Sequence, residues 1–128
     1  MSLVNENNPH SVVIPLGALT TDATVVPLMK LLKKSRLLAA YYMQTGAIAA
    51  SDSNYFQLSV KNGSTVVAEL DSRAAHENGI ATLAGKALNV VDAVKDQAAG
   101  SDLTLLYNET GTVALAADSK IVLVFAAL

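Results

Sequence analysis

Short runs of alternating apolar and polar residues, broken by turn residues at roughly 8- to 12-residue intervals, fill most of this chain. Phe56, Leu58 and Val60 alternate with Gln57, Ser59 and Lys61. Val66, Ala68 and Leu70 alternate with Val67, Glu69 and Asp71. A period of two sends successive side chains to opposite faces of a strand, so each run reads as one strand with a core face. Between the two runs stands Asn62-Gly63, a pair that tolerates φ > 0 and is the strongest short-range signal for a β-hairpin. A chain punctuated this often has no room for long helices. It folds as a β-sandwich or barrel.

The rest of the chain extends that pattern. Residues 1–10 are polar, carry Asn-Asn-Pro, and read as a loose arm ahead of one domain over residues 11–128. Residues 11–16 are a short apolar run with Pro15 near its end, which suits an edge strand. Residues 17–24 have turn chemistry. Residues 25–38 admit two readings. Val25, Leu28, Met29 and Leu32 fit a helical face, with Pro27 in the first turn. The rival is two strands broken near Lys33-Lys34, and residues 35–43, which end in Tyr41-Tyr42 without a helix stop signal, favour it. Residues 73–85 are polar and Ala-rich and read as a long connection. Residues 87–94 are apolar, and Ala99-Gly100-Ser101 turns the chain. Residues 103–107 and 112–116 pair as a second hairpin around Asn108-Glu109-Thr110-Gly111, and Asp118-Ser119-Lys120 is a third turn. Residues 121–127 are apolar on both faces, as in a central, covered strand. The count comes to about eight strands, and no repeat of 20–50 residues suggests a solenoid or propeller.

Composition narrows the function classes. The 128 residues suffice for one domain with a core. Hydrophobic residues make up 52% and charged residues 16%, which excludes a disordered, solvating chain. With no Cys there is no disulfide, thiolate-bound zinc or thiol chemistry. A net charge of −2 does not advertise a nucleic-acid binder. The N-terminus lacks the basic and apolar regions of a secretory signal. No apolar stretch reaches the ~20 residues that span a bilayer as a helix, so no membrane contact is expected. Without a signal, the sequons at Asn62 and Asn108 read as chance matches at turns.

Candidate chemistry is sparse. His10 lies in the arm and His76 in a polar loop, and an Asp71-Ser72-His76 grouping is sequence adjacency, which is no evidence for a triad. The carboxylates Asp52, Glu69, Asp71, Asp92, Asp96, Asp102, Glu109 and Asp118 are scattered without calcium-loop spacing. Asp92 and Asp96 would repel each other on a helix. No glycine-rich phosphate loop occurs. These absences lead to the expectation of no enzyme activity, cofactor or metal. The one charge asymmetry is Lys30, Lys33, Lys34 and Arg36, four of the nine basic residues within seven positions. It reads either as a docking patch for an acidic partner or as a solvated edge where lysines block aggregation. Tyr41, Tyr42 and Tyr55 are the candidates for an aromatic platform, although six aromatics in all leave few beyond the core.

Two stretches carry a resemblance. Asp52-Ser53-Asn54-Tyr55-Phe56-Gln57-Leu58 leads to Val60-Lys61-Asn62-Gly63. Later, Ala99-Gly100-Ser101-Asp102-Leu103-Thr104-Leu105 leads to Asn108-Glu109-Thr110-Gly111-Thr112, and the chain closes on residues 121–127. In this order they resemble small jelly-roll-like β-sandwich proteins of tailed-phage virions, of the capsid decoration (cement) or head-fibre type, over roughly residues 35–127. The resemblance implies an all-β, antiparallel, jelly-roll-like sandwich of about eight strands. It also implies a homotrimer on the capsid exterior, with the major capsid protein as partner and assembly in the host cytoplasm. It brings no catalysis and no transferable site residues. A carbohydrate- or ligand-binding β-sandwich module is the alternative, and it expects exposed aromatics around a groove.

Overall fold

The structure, a computed structural model, describes residues 9–73 and 85–128. The strands are β1 (His10–Pro15), β2 (Thr24–Lys30), β3 (Ser35–Met43), β4 (Tyr55–Asn62) and β5 (Thr65–Asp71). They continue as β6 (Lys86–Ala87), β7 (Asn89–Val90), β8 (Asp96–Gln97), β9 (Asp102–Thr110) and β10 (Lys120–Ala127), with one 3₁₀ turn at Asp92–Val94. Sheet A runs β1-β10-β3-β6, with β8 also on β3. Sheet B runs β2-β9-β4-β5-β7, and every pairing is antiparallel. Taking the three two-residue strands as one interrupted strand leaves eight, arranged as a jelly-roll-like β-sandwich.

The alternation decides which faces meet. Leu37, Tyr42, Ile121 and Leu123 of sheet A are buried against Phe56, Leu58, Leu105 and Tyr107 of sheet B. Phe56 sits at the centre, with ring centroids 5.8 Å from Tyr42 across the sandwich and 6.2 Å from Tyr107 beside it. β10 is central in its sheet, between β1 and β3, as expected, but it is not covered on both faces: Ile121 and Leu123 are buried, whereas Val122 and Val124 on the other face are only half-buried. Residues 25–38 resolve as two strands. The helical face formed by Val25, Leu28, Met29 and Leu32 gives way because β2 fills the free edge of β9 and β3 fills that of β10.

Several expectations need correction. His10 belongs to β1, opposite Phe125, rather than to the arm. Residues 1–8 and the connection at 74–84 lie outside the described residues. The second hairpin does not form. β9 continues through Asn108, Glu109 and Thr110, which pair with Gln57, Phe56 and Tyr55. Residues 112–116 instead cross from sheet B to sheet A, where Leu115 is buried and its N–H donates to the Leu19 carbonyl at 2.9 Å. The apolar stretch 87–94 is not one strand. β6 lies on β3, β7 on β5 and β8 on β3 again, so this segment laces the two sheets together along one side. The first hairpin forms one position later than its sequence signal. Asn62 pairs with Thr65, and the loop is Gly63-Ser64 with Gly63 at φ 61°.

Candidate functional site

The basic cluster lies at one end of the sandwich, where β2 turns into β3. Two of its four members are neutralised locally. Lys30 Nζ sits 2.9 Å from Asp102, its neighbour across β2 and β9. Arg36 Nε and Nη2 reach both carboxylate oxygens of Asp96 at 2.6 and 3.1 Å. Lys33 and Lys34 are exposed beside Leu32, which is 84% exposed. The cluster is thus two paired cations and two solvated ones rather than one continuous patch. Asp92 and Asp96 do not oppose each other as a helical pair. Asp92 is held by Lys95 at 2.8 Å and Asp96 by Arg36.

Of the imagined Asp71-Ser72-His76 grouping, two members lie among the described residues, and both have other partners. Ser72 is fully buried, and its hydroxyl accepts the Phe56 N–H at 2.9 Å, closing the end of the β4–β5 ladder. Asp71 is committed to Arg73 and Gln57, and His76 lies outside the described residues. Among the described residues, no group of three metal-ligating side chains comes together, and no helix is long and apolar enough to cross a membrane.

The tyrosines do not form a platform. Tyr41 and Tyr42 are adjacent on β3 and point to opposite faces. Tyr42 is fully buried and donates to Gln44 at 2.6 Å, and burial pushes its hydroxyl well above the ordinary tyrosine range. Tyr55 lies under Arg73, whose guanidinium carbon is 5.0 Å from its ring centroid.

A network that no motif announced occupies the outer face of sheet B. Gln57 and Asp71 are cross-strand partners, and Gln57 Nε2 donates to Asp71 Oδ2 at 2.8 Å. Arg73 donates to Asp71 through Nε at 3.0 Å, Nη2 at 2.6 Å and its backbone N–H at 2.9 Å. Burial pushes the Asp71 carboxyl up, but these donors outweigh it and hold it below its ordinary value. In the next row, Ser59, Glu69 and Asn89 lie side by side across β4, β5 and β7. Together the two rows line a cleft of about 300 Å³.

The outer face of sheet A is different. Val13, Val122, Tyr41 and Ala87 form one cross-strand row, and Ser11, Val124 and Ala39 form the next. Val13 is 58% and Tyr41 37% exposed. Among the described residues, the charge on this face lies at its ends, at Lys120 and at the Arg36–Asp96 pair. An antiparallel sheet with one solvated face ordinarily places polar residues there. Sheet B does so across β4, β5 and β7, where Gln57, Ser59, Glu69, Asp71 and Asn89 lie, and sheet A does not.

No family profile matches this chain, and neither a curated protein nor a solved structure matches it.

Proposed function

We propose that this chain is a structural virion protein, a capsid decoration or head-fibre component that self-associates as a homotrimer on the capsid exterior after assembly in the host cytoplasm. The observation that carries the reading is the apolar outer face of sheet A. A contiguous exposed apolar patch of this kind marks a contact surface, and a face without central charge has nothing to offer a charged partner. Its occupant is a second copy of the chain. In a ring, one copy's patch meets a different patch on the next copy. The counter-surface is Val25, 59% exposed, with its cross-strand neighbour Leu106 on sheet B.

The size of the face sets the strength of the contact. Four strands ~4.8 Å apart and about six residues of ~3.3 Å each give a footprint of roughly 400 Å². A standard interface buries about 800 Å² per partner. Contact through this face is therefore weak in free solution and gains from neighbours already held side by side, as on a capsid lattice.

Sedimentation velocity from about 1 µM to about 1 mM tests the assembly. The mass should rise toward three times 13.3 kDa, and Val122→Glu should stay monomeric while retaining the wild-type circular dichroism spectrum. A monomer at every concentration, or association that survives Val122→Glu, overturns it. Labelled protein that binds no tailed-phage capsid lattice overturns the virion assignment even if the chain associates.

A further inference from the structure

We infer that the cleft on the outer face of sheet B is a binding site for a neutral carbohydrate. This goes beyond the assembly reading and does not depend on it, since it is argued from the cleft's own lining; the counter-surface Val25–Leu106 is on the same outer face, in the cross-strand row of Ser59.

The cleft has a fixed wall and an open floor. Arg73, Asp71 and Gln57 form the wall, and three kinds of contact fix it: the paired guanidinium bonds, the Gln57 amide bond, and the Tyr55 ring beneath Arg73. Holding the donors in place before a ligand arrives removes the ordering cost that otherwise weakens a polar contact. Ser59, Glu69 and Asn89 form the floor, and their side chains have no hydrogen-bond or ion-pair partner among the described residues. Neighbouring rows are ~7 Å apart along the strands and three strands span ~10 Å, so the array matches the dimensions of one or two sugar rings.

The chemistry of the lining selects the ligand class. The side chains are polar, so an apolar molecule would gain little there. Asp71 spends its charge on Arg73, which leaves Glu69 as the unpaired charge, and an anionic ligand would be repelled. With both Asp71 oxygens already accepting, Glu69 alone cannot hold a metal ion. The unspent groups are a carboxylate, an amide and a hydroxyl set side by side on adjacent strands. Together they offer both donors and acceptors to the hydroxyls of a sugar.

The test is an array of immobilised neutral gluco-, galacto-, manno- and xylo-oligosaccharides probed with the fluorescently labelled full chain. The best-bound oligosaccharide is then titrated by calorimetry. Glu69→Ala and Asn89→Ala sit at exposed positions and should melt like wild type, yet each should weaken binding about fivefold to tenfold, the loss of roughly one hydrogen bond. Val122→Glu, on the other sheet, should leave binding unchanged at about 1 µM protein, where copies do not associate. Binding to no oligosaccharide above an albumin blank overturns the proposal. So does affinity unaltered in the Glu69→Ala/Asn89→Ala double variant, or preference for sialylated or uronate-bearing sugars added to the same array.

Discussion

Gly111 shows how much a single position can decide. Its φ is 75°, and a Cβ added there would strike Asn54 Oδ1 and the Ser53 carbonyl. That Asn54 oxygen accepts the Thr112 N–H at 2.9 Å, so the same contact orients the chain as it leaves β9. Gly46 also has a positive φ, but open space around it. Gly46→Ala should therefore cost about 1 kcal/mol of backbone strain, and Gly111→Ala about 2–4 kcal/mol. Urea melts of the two variants make the comparison, and equal costs would show that the Asn54 contact is not tight. Asp71 gives a pH prediction. Its folded pKa lies below the ordinary 3.8, so its contribution is present above that value and is lost as pH falls through the lower folded one. Between about pH 5 and pH 2, wild type should lose more stability than Asp71→Asn, measured by thermal melts in a buffer series. Parallel curves would mean that the Arg73 contacts do not persist in solution.

At the scale of elements, the β4–β5 hairpin shows where register comes from. A two-residue loop at Asn62-Gly63 would place Lys61 opposite Ser64 and Gln57 opposite Ala68. The loop instead uses Gly63-Ser64, and a bulge between Val60 and Lys61 adds a further residue, so Gln57 meets Asp71. The cleft network follows from that shift of three residues. The composition of both strands was legible, but the pairing that joins Gln57 to Asp71 was not, because local turn propensity competes with the burial of both Val67 and Ala68. The displaced loop also frees the Asn62 side chain, whose Nδ2 donates to Gln97 at 2.6 Å and to Ser101 at 3.1 Å. Gln97 is buried in β8, which pairs with the start of β3. Asn62→Ala should leave the Gln97 oxygen unpaired and cost about 1–3 kcal/mol. Hydrogen exchange should then accelerate at β8 and at the Leu37 amide, which donates to Lys95, before it does in β10. Uniform acceleration would refute a local role for Asn62.

Across the whole molecule, the contrast between the two outer faces carries the functional argument. If copies associate through sheet A, the melting temperature should rise with protein concentration, because association stabilises only the folded chain. Val122→Glu should abolish that dependence, and a concentration-independent melt of wild type would count against assembly. The topology also sets the folding rate. β1 closes on β10 from the far end of the chain, pairing His10 with Phe125. Loop closure of that length precedes its reward, so refolding should take milliseconds to seconds. Tyrosine fluorescence in stopped flow measures it, since the chain has no Trp.

The sequence by itself determined the all-β class, the presence of a first hairpin near Asn62-Gly63, and the central place of β10 in its sheet. Each of these is written in a two-residue period or a turn residue, and both are local. Tertiary structure alone decided that β9 runs on past Tyr107 and that residues 86–97 lace the two sheets. It also decided that Lys30 and Arg36 are neutralised by aspartates some 60 or more positions away. Alternation tells a strand which face is buried but carries no information about its neighbour. That choice belongs to whichever long-range pairing buries the most surface and satisfies the most backbone groups at once.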